Sequence, residues 1–201
     1  MKSKVETGYG SSSFSQEVGI FMKWKWFLIA ILFISPAVAS AAEISSPYAG
    51  QETREIKALS RDEINGYLSG DGMGFAKAAE LNHYPGPKHV LDLADQLQLS
   101  EEQRRRSQMI FEDMKSKAVS LGRQLVEKER LLDSRFGDAK ISDAELVQLV
   151  TEISVLHGKI RAAHLQAHLA QRAALTADQL MRYDTLRGYQ GSGTHGQHHG
   201  H

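Results

Sequence analysis

Two histidines, His164 and His168, lie four residues apart in the stretch HLQAHLAQRAALTADQ. On a helix, residues i and i+4 lie on one face, so two imidazoles at this spacing can bind one metal ion. His157 falls within roughly 40° of them on the same helix face and is a candidate third ligand. Leu165 stands where a zinc protease needs its glutamate base, so zinc-dependent hydrolysis is not expected. The alternative is that these are helix-flank histidines that bond water, carboxylates or a partner helix.

A second group of histidines ends the chain, in the sequence GSGTHGQHHGH. Its members are His195, His198, His199 and His201. The glycine-rich composition without apolar anchors predicts a disordered tail over residues 190–201. Neutral imidazoles bind zinc, nickel and copper, so we expect weak metal capture here and no fixed site. The alternatives are a solubilising or incidental tail and a purification remnant.

Composition disfavours catalysis and nucleic-acid binding. The chain has no cysteine, which excludes disulfides, catalytic thiols and Cys-ligated zinc. It also has no glycine-rich phosphate loop and no Gly-x-Ser-x-Gly elbow, so we do not expect an enzyme. Residues 42–201 carry 20 Lys and Arg against 22 Asp and Glu, a net charge of −2. That balance argues against nucleic acid as a partner.

The stretch MKWKWFLIAILFISPAVASAA, which begins at Met22, has the pattern of a cleavable secretory signal peptide. Two lysines precede an apolar block, and small residues allow cleavage after Ala39 or after Ala41. The apolar block is too short to span a bilayer, although an uncleaved membrane anchor is the alternative. We therefore interpret residues 1–41 as a signal region in which translation starts at Met22, the alternative being an unusually long n-region. We expect a periplasmic protein with no integral membrane segment after cleavage.

One helix-start pattern occurs four times, as an apolar residue, a hydroxyl residue, two further residues and then Glu or Gln. The four are Leu59-Ser60-x-x-Glu63, Leu99-Ser100-x-x-Gln103, Ile141-Ser142-x-x-Glu145 and Leu175-Thr176-x-x-Gln179. In such a capping box the hydroxyl accepts from the N3 backbone N–H, and the N3 side chain accepts from the N-cap N–H. Each pattern therefore predicts the first turn of a helix.

Apolar residues recur every three or four positions from Ser100 to Arg135 and again from Ser142 to Ala170. This spacing is typical of two helices packed along each other, with the turn at Gly137–Ser142. Short helices are expected at residues 61–68, 75–81 and 89–97. The sequence thus predicts an all-α fold, a long antiparallel helical hairpin with short flanking helices. Each long helix buries only one stripe within a hairpin, which favours a homodimer.

Two of these helix starts, LSEEQ (99–103) and LTADQ (175–179), begin 76 residues apart. In an exported all-α chain, this pair resembles the LTxxQ group of small periplasmic proteins. That group comprises the Spy/CpxP-type chaperones and the related ZraP/CnrX-type heavy-metal proteins. The resemblance covers residues 86–189, which would form the LTxxQ-type hairpin domain. Residues 42–85 would then be an N-terminal extension with short helices.

The resemblance implies a dimeric, cradle-shaped protein that takes part in the envelope stress response. Its partners would be itself and either unfolded periplasmic proteins or a membrane sensor kinase. It would act as an ATP-independent chaperone or adaptor, with no required cofactor and with zinc, nickel or copper as an optional ligand. The alternatives are a periplasmic heavy-metal binding or sensor protein and a structural dimeric adaptor without ligand. The chain departs from the family in lacking a basic excess and in having one HxxxH without a second HxxxH or HxxxM.

Overall fold

A computed structural model describes residues 45–189, and this part of the chain is mostly helical. Its helices are α1 (Arg61–Ser69), α2 (Lys77–Glu80), α3 (Pro87–Asp92), α4 (Glu101–Gly137), α5 (Asp143–Ala173) and α6 (Ala177–Leu186). Within residues 45–189 there is no strand, only an isolated bridge between Ile56 and Leu59. The all-α prediction is confirmed for this range. The predicted signal region and the four tail histidines lie outside the described residues.

Three of the four predicted capping boxes are complete, those at Ser60, Ser100 and Thr176. At Ser142 the hydroxyl accepts from the backbone N–H of Glu145 at 3.3 Å, as expected. The Glu145 carboxylate does not return to the cap, however, because it accepts from Arg135 Nε at 2.8 Å. The reciprocal half of this capping box was therefore predicted wrongly, since an ion pair with the end of α4 replaces it.

The two long helices, α4 and α5, pack against each other. At one end, Gln171 Nε2 on α5 donates to Ser107 Oγ on α4 at 2.9 Å, and both residues are fully buried. At the other end lies the Arg135–Glu145 ion pair. The start of α4 therefore lies against the end of α5. The connection after Gly137 contains Ala139 in the left-handed region, with φ of 53°.

The main core joins residues that precede α2 to the middle of both long helices. Its buried members are Ile56, Leu59, Ile64, Tyr67, Phe75, Leu125, Val126, Leu156 and Ile160. The helix α1 crosses α4 at Gly122, where an added Cβ would lie 2.1 Å from the Tyr67 carbonyl oxygen. Residues 45–85 therefore supply a large part of the core around the long pair.

A second core lies where α6 meets the segment that leads into α4. It consists of Val90, Ala94, Leu97, Leu99 and Tyr183. The helices α2 and α3 are shorter than the sequence predicted, since α3 ends at Asp92. Beyond it the chain turns through Gln98, whose φ is 51°, and these turns carry Ala94 and Leu97 into the second core. No helix of the described range has the length and apolar character needed to cross a membrane.

Candidate functional site

The structure buries His164 and His168 on α5 and leaves His157 exposed. The exposed fractions of His164 and His168 are 3% and 8%. The ring of Phe75 packs against both His157 and His164, with ring centroids 5.1 and 5.6 Å away. The predicted pair of histidines therefore shares a buried environment, whereas His157 faces solvent on the outer side of Phe75.

The ring of His168 is held in one orientation by the segment between α2 and α3. Its Nδ1 lies 2.7 Å from the carbonyl oxygen of Tyr84 and 3.7 Å from Glu80 Oε2. Because a carbonyl only accepts, Nδ1 carries the proton, and Nε2 of the neutral ring has the lone pair. The backbone at Gly86 closes over the ring, since a Cβ there would lie 3.0 Å from His168 Cε1.

His164 presents a buried nitrogen without a hydrogen-bond partner among the described residues. Its ring stacks on Phe75 at an interplanar angle of 15°, and its Nε2 is buried and unpaired. Burial lowers the pKa of His164 below its ordinary value, and neighbouring His168 lowers it further, while Asp71 acts in the opposite direction. The ring is therefore neutral at pH 7, the form that binds metals or donates one hydrogen bond.

Both histidines line a cavity of ≈ 270 Å³ between α5, α4 and the segments before α4. Asp71, Lys88, His89 and Lys115 also line this cavity. Within residues 45–189, no three His, Asp or Glu side chains are grouped so as to hold a metal ion. The donor chemistry of His164 and His168 thus fits a transition metal at two positions, and a third ligand is not in place among the described residues.

The glutamines of the two LTxxQ-type motifs bond to each other. Gln103 Nε2 donates to Gln179 Oε1 at 2.8 Å, and Gln179 Nε2 donates to Gln103 Oε1 at 3.0 Å. Each amide also reaches a backbone carbonyl, that of Ala174 at 3.1 Å for Gln103 and that of Leu97 at 3.3 Å for Gln179. Because the two Oε1 atoms also accept from the Ser100 and Thr176 backbone N–H groups, one amide pair closes two helix caps.

The remaining motif residues, Leu99 and Leu175, pack in the second core beside this amide pair. The structure therefore brings both motifs to one place, where they join the first turns of α4 and α6. The sequence indicated the two caps separately. It gave no sign of the contact between them, because a capping box is a local pattern.

A half-buried carboxylate, Glu80, is the group that sequence reasoning missed. Its Oε1 accepts from the hydroxyls of Tyr183 at 2.6 Å and Tyr189 at 3.0 Å, and lies 3.4 Å from Arg187 Nε. Its Oε2 accepts from the backbone N–H of Gly86 at 3.1 Å. Burial, and then the hydrogen bond to Glu80, raise the pKa of Tyr183 far above its ordinary value. The phenol therefore stays protonated and donates its hydrogen bond at neutral pH.

Glu80 is one acidic residue in a four-residue helix, and its two tyrosine partners lie 103 and 109 positions away in the sequence. No local pattern could have identified it. Comparisons of the chain with protein families, with curated proteins and with solved structures found no match.

Proposed function

We propose that this protein is a periplasmic, ATP-independent chaperone or adaptor of the LTxxQ type, and not an enzyme. In this proposal two antiparallel helical hairpins form a dimeric cradle. Its clients are unfolded or misfolded periplasmic proteins, and a membrane sensor kinase is the alternative partner. The joined LTxxQ-type motifs support the resemblance on which the proposal rests. The chain lacks a nucleotide-binding motif, so any holding activity depends on its surface alone.

The observation that carries the holding function is an outward side of α4 on which apolar residues stand among charges of both signs. Met109 and Leu131 are 69% and 37% exposed and lie within roughly 40° of each other around the helix. Charged neighbours surround them on this side, namely Arg105, Arg106, Glu112, Asp113, Glu127 and Arg130. Such a surface can bind exposed apolar segments of a client and remain soluble when no client is present.

Light scattering from an aggregating client tests this proposal. Substoichiometric protein should slow the aggregation of a reduced, unfolding client protein in the absence of ATP. The double variant Met109→Glu with Leu131→Glu should lose at least half of this effect, because the apolar contacts are gone. Ser116→Glu adds a charge to the same side of α4 without removing an apolar group and should act like the parent. Equal aggregation with and without the parent protein would reject the chaperone function.

A second candidate function is the binding of a divalent transition metal by His164 and His168. One observation favours it. His168 donates its Nδ1–H to the Tyr84 carbonyl, which leaves the lone pair on Nε2. Histidines that bind metals usually donate their other ring N–H to a carbonyl or carboxylate in the same way. The unpaired Nε2 of His164 lines the same cavity. A metal bound here would hold the α2–α3 segment on α5, and a further ligand would come from a partner chain or from solvent.

Calorimetric titration with zinc tests this candidate on a chain that ends at Tyr189, which removes the tail histidines. We expect binding that His164→Ala and His168→Ala each abolish, and that weakens as the pH falls, because each imidazole must be deprotonated to bind the metal. His157→Ala is the matched control and should bind zinc normally. If the truncated chain takes up no zinc, the metal chemistry belongs to the tail.

A further inference from the structure

Two glycines interrupt the interiors of the long helices, Gly122 in α4 and Gly158 in α5. A glycine inside a helix lowers the stability of the helix by about 0.5–1 kcal/mol relative to alanine. We therefore expect such a glycine where close packing leaves no room for a side chain. Gly122 has one, because α1 crosses α4 there and leaves no room for a Cβ. At Gly158 an added Cβ would meet nothing within 4 Å. Contacts within the described residues therefore account for Gly122 but not for Gly158.

Gly158 lies near the middle of a mostly exposed, almost uncharged strip on α5, which we call the α5 outer face. Its residues recur every three or four positions and are Ala144, Val147, Thr151, Ser154, Gly158, Ala162, Leu165 and Leu169. Val147 and Leu169, near its two ends, are 66% and 58% exposed. Arg161 is the one charged residue on this side between Ala144 and Leu169. The outward side of α4, by contrast, carries charges along its length.

The two hydroxyl groups of the α5 outer face are already satisfied within the helix. Thr151 Oγ1 donates to the Val147 carbonyl at 2.7 Å, and Ser154 Oγ donates to the Val150 carbonyl at 2.8 Å. Covering this face would therefore leave neither hydroxyl without a hydrogen bond, and the usual penalty for burying a polar group does not arise. A face with apolar ends, a small centre and no unpaired hydroxyl is suited to close contact with another helix.

A second copy of this chain fits the face, because the small centre of the strip meets itself when two copies of α5 are laid antiparallel. If two α5 helices run antiparallel with their midpoints near residue 156, Ser154 of one lies opposite Gly158 of the other. Val147 then lies opposite Leu165, so that small residues meet at the centre and large ones at the ends. The two Arg161 side chains would be roughly 15 Å apart along the axis and would not repel strongly.

We propose that the α5 outer face is a two-fold interface in which α5 packs antiparallel on α5 of a second copy. The inference rests on the homodimer of the proposed function and names the surface that forms it. At 1.5 Å per residue the strip is roughly 39 Å long, which places the contact area at the low end of specific interfaces. Association through one helix face of this length should be reversible, so the dimer fraction should rise with protein concentration. The apolar and charged side of α4 remains open to clients.

Sedimentation velocity of the full chain over a range of concentrations tests the interface. We expect the parent protein to reach the mass of a dimer and Gly158→Glu to stay monomeric, with at least a tenfold weaker association. Glutamate is a better helix former than glycine, and the site has room for it within one protomer, so circular dichroism should show unchanged helicity. Ser116→Glu places the same charge on α4 and should dimerise like the parent.

A parent protein that stays monomeric throughout overturns the interface, and so does a Gly158→Glu variant that still dimerises. In the second case the dimer of the proposed function stands, with another surface forming it. The client aggregation assay is a separate readout. Failure to slow aggregation while Gly158→Glu abolishes an observed dimer would therefore reject the chaperone function and leave the interface intact.

Disulfide cross-linking tests the direction of the two helices, because the chain has no cysteine of its own. A mixture of the Ser154→Cys and Gly158→Cys variants should form covalent dimers faster than either variant alone. Antiparallel packing places these two positions opposite each other, whereas each position alone is offset from its own copy by four residues. Faster cross-linking of the single variants, or equal rates in all three samples, would overturn the antiparallel arrangement.

Discussion

At the scale of residues, Gln103 and Gln179 each do two things. Each completes a capping box at the start of its own helix, and together they form a reciprocal amide pair. A buried or half-buried amide is favourable only when its donors and acceptors are paired, and here both protons and the oxygen of each side chain are used. Replacing one glutamine therefore leaves groups on the other without partners.

We expect Gln103→Ala and Gln179→Ala each to lower the free energy of unfolding by about 1–3 kcal/mol. The double variant should lose about 0.5–3 kcal/mol less than the sum, because the second change removes groups that the first had already left unpaired. Urea denaturation of the four proteins gives this coupling. Gln124→Ala, whose exposed amide bonds only its own helix at Ser120, is the control and should cost little. Strict additivity would mean that the amide pair contributes nothing.

The buried ring of His164 predicts a pH dependence of stability. Burial lowers the pKa of His164 in the folded protein, whereas in the unfolded chain the ring binds a proton near pH 6.5. This contribution to stability is therefore present above the unfolded value and is lost as the pH falls towards the folded value. Between pH 7 and pH 5, His164→Gln should lose less unfolding free energy than the parent does.

Urea denaturation at the two pH values measures this difference. His168 and Asp71, the charged neighbours that act on the ring, are present in both proteins, so the comparison isolates the ring of His164. His157→Gln removes an exposed imidazole and should leave the pH dependence of the parent unchanged. An identical pH dependence in the His164→Gln variant would show that the buried ring does not resist protonation.

At the scale of elements, the contact between α1 and α4 depends on the missing side chain at Gly122. A Cβ at this position would lie 2.1 Å from the Tyr67 carbonyl oxygen, a backbone atom that cannot turn aside. Gly122→Ala should therefore lower the free energy of unfolding by about 1–3 kcal/mol or more. The gain in helix propensity, at most about 1 kcal/mol, is too small to offset this loss.

Thermal unfolding followed by circular dichroism measures the effect. The control is Gly137→Ala, at the last residue of the same helix, where an added Cβ meets nothing within 4 Å. This variant should be as stable as the parent or slightly more stable. If both alanines stabilise the protein equally, α1 does not cross α4 as closely as the structure has it.

The starts and ends of the long helices could be predicted from the sequence because their signals are local. Ser100, Ser142 and Thr176 cap helices where expected, and the apolar spacing indicated which side of each long helix is buried. The short helices were less predictable, since α3 stops where the second core draws the following turns inward. The role of Gly122 depends on a neighbour distant in the sequence. A glycine in a helical pattern does not reveal which element approaches it.

At the scale of the whole molecule, Glu80 connects parts of the chain that are far apart in sequence. Glu80 accepts hydrogen bonds from Tyr183 in α6 and from Tyr189 just after it. It also accepts one from the backbone of Gly86, at the start of α3. Its second oxygen lies beside His168 on α5. The buried histidines, the amide pair and the second core are thus all held by elements that converge on one carboxylate.

Replacing Glu80 should loosen this end of the molecule and leave the main core in place. Glu80→Ala removes the acceptor of the buried Tyr183 hydroxyl and one of the acceptors of the Gly86 N–H, so we expect a loss of about 3 kcal/mol in unfolding free energy. Hydrogen exchange should show lost protection in α6 and in residues 87–99, with protection kept in the middle of α4 and α5. Glu112→Ala, which removes an exposed carboxylate from α4, should change neither quantity. If protection falls equally along both long helices, Glu80 stabilises the fold as a whole and does not act as a local connection.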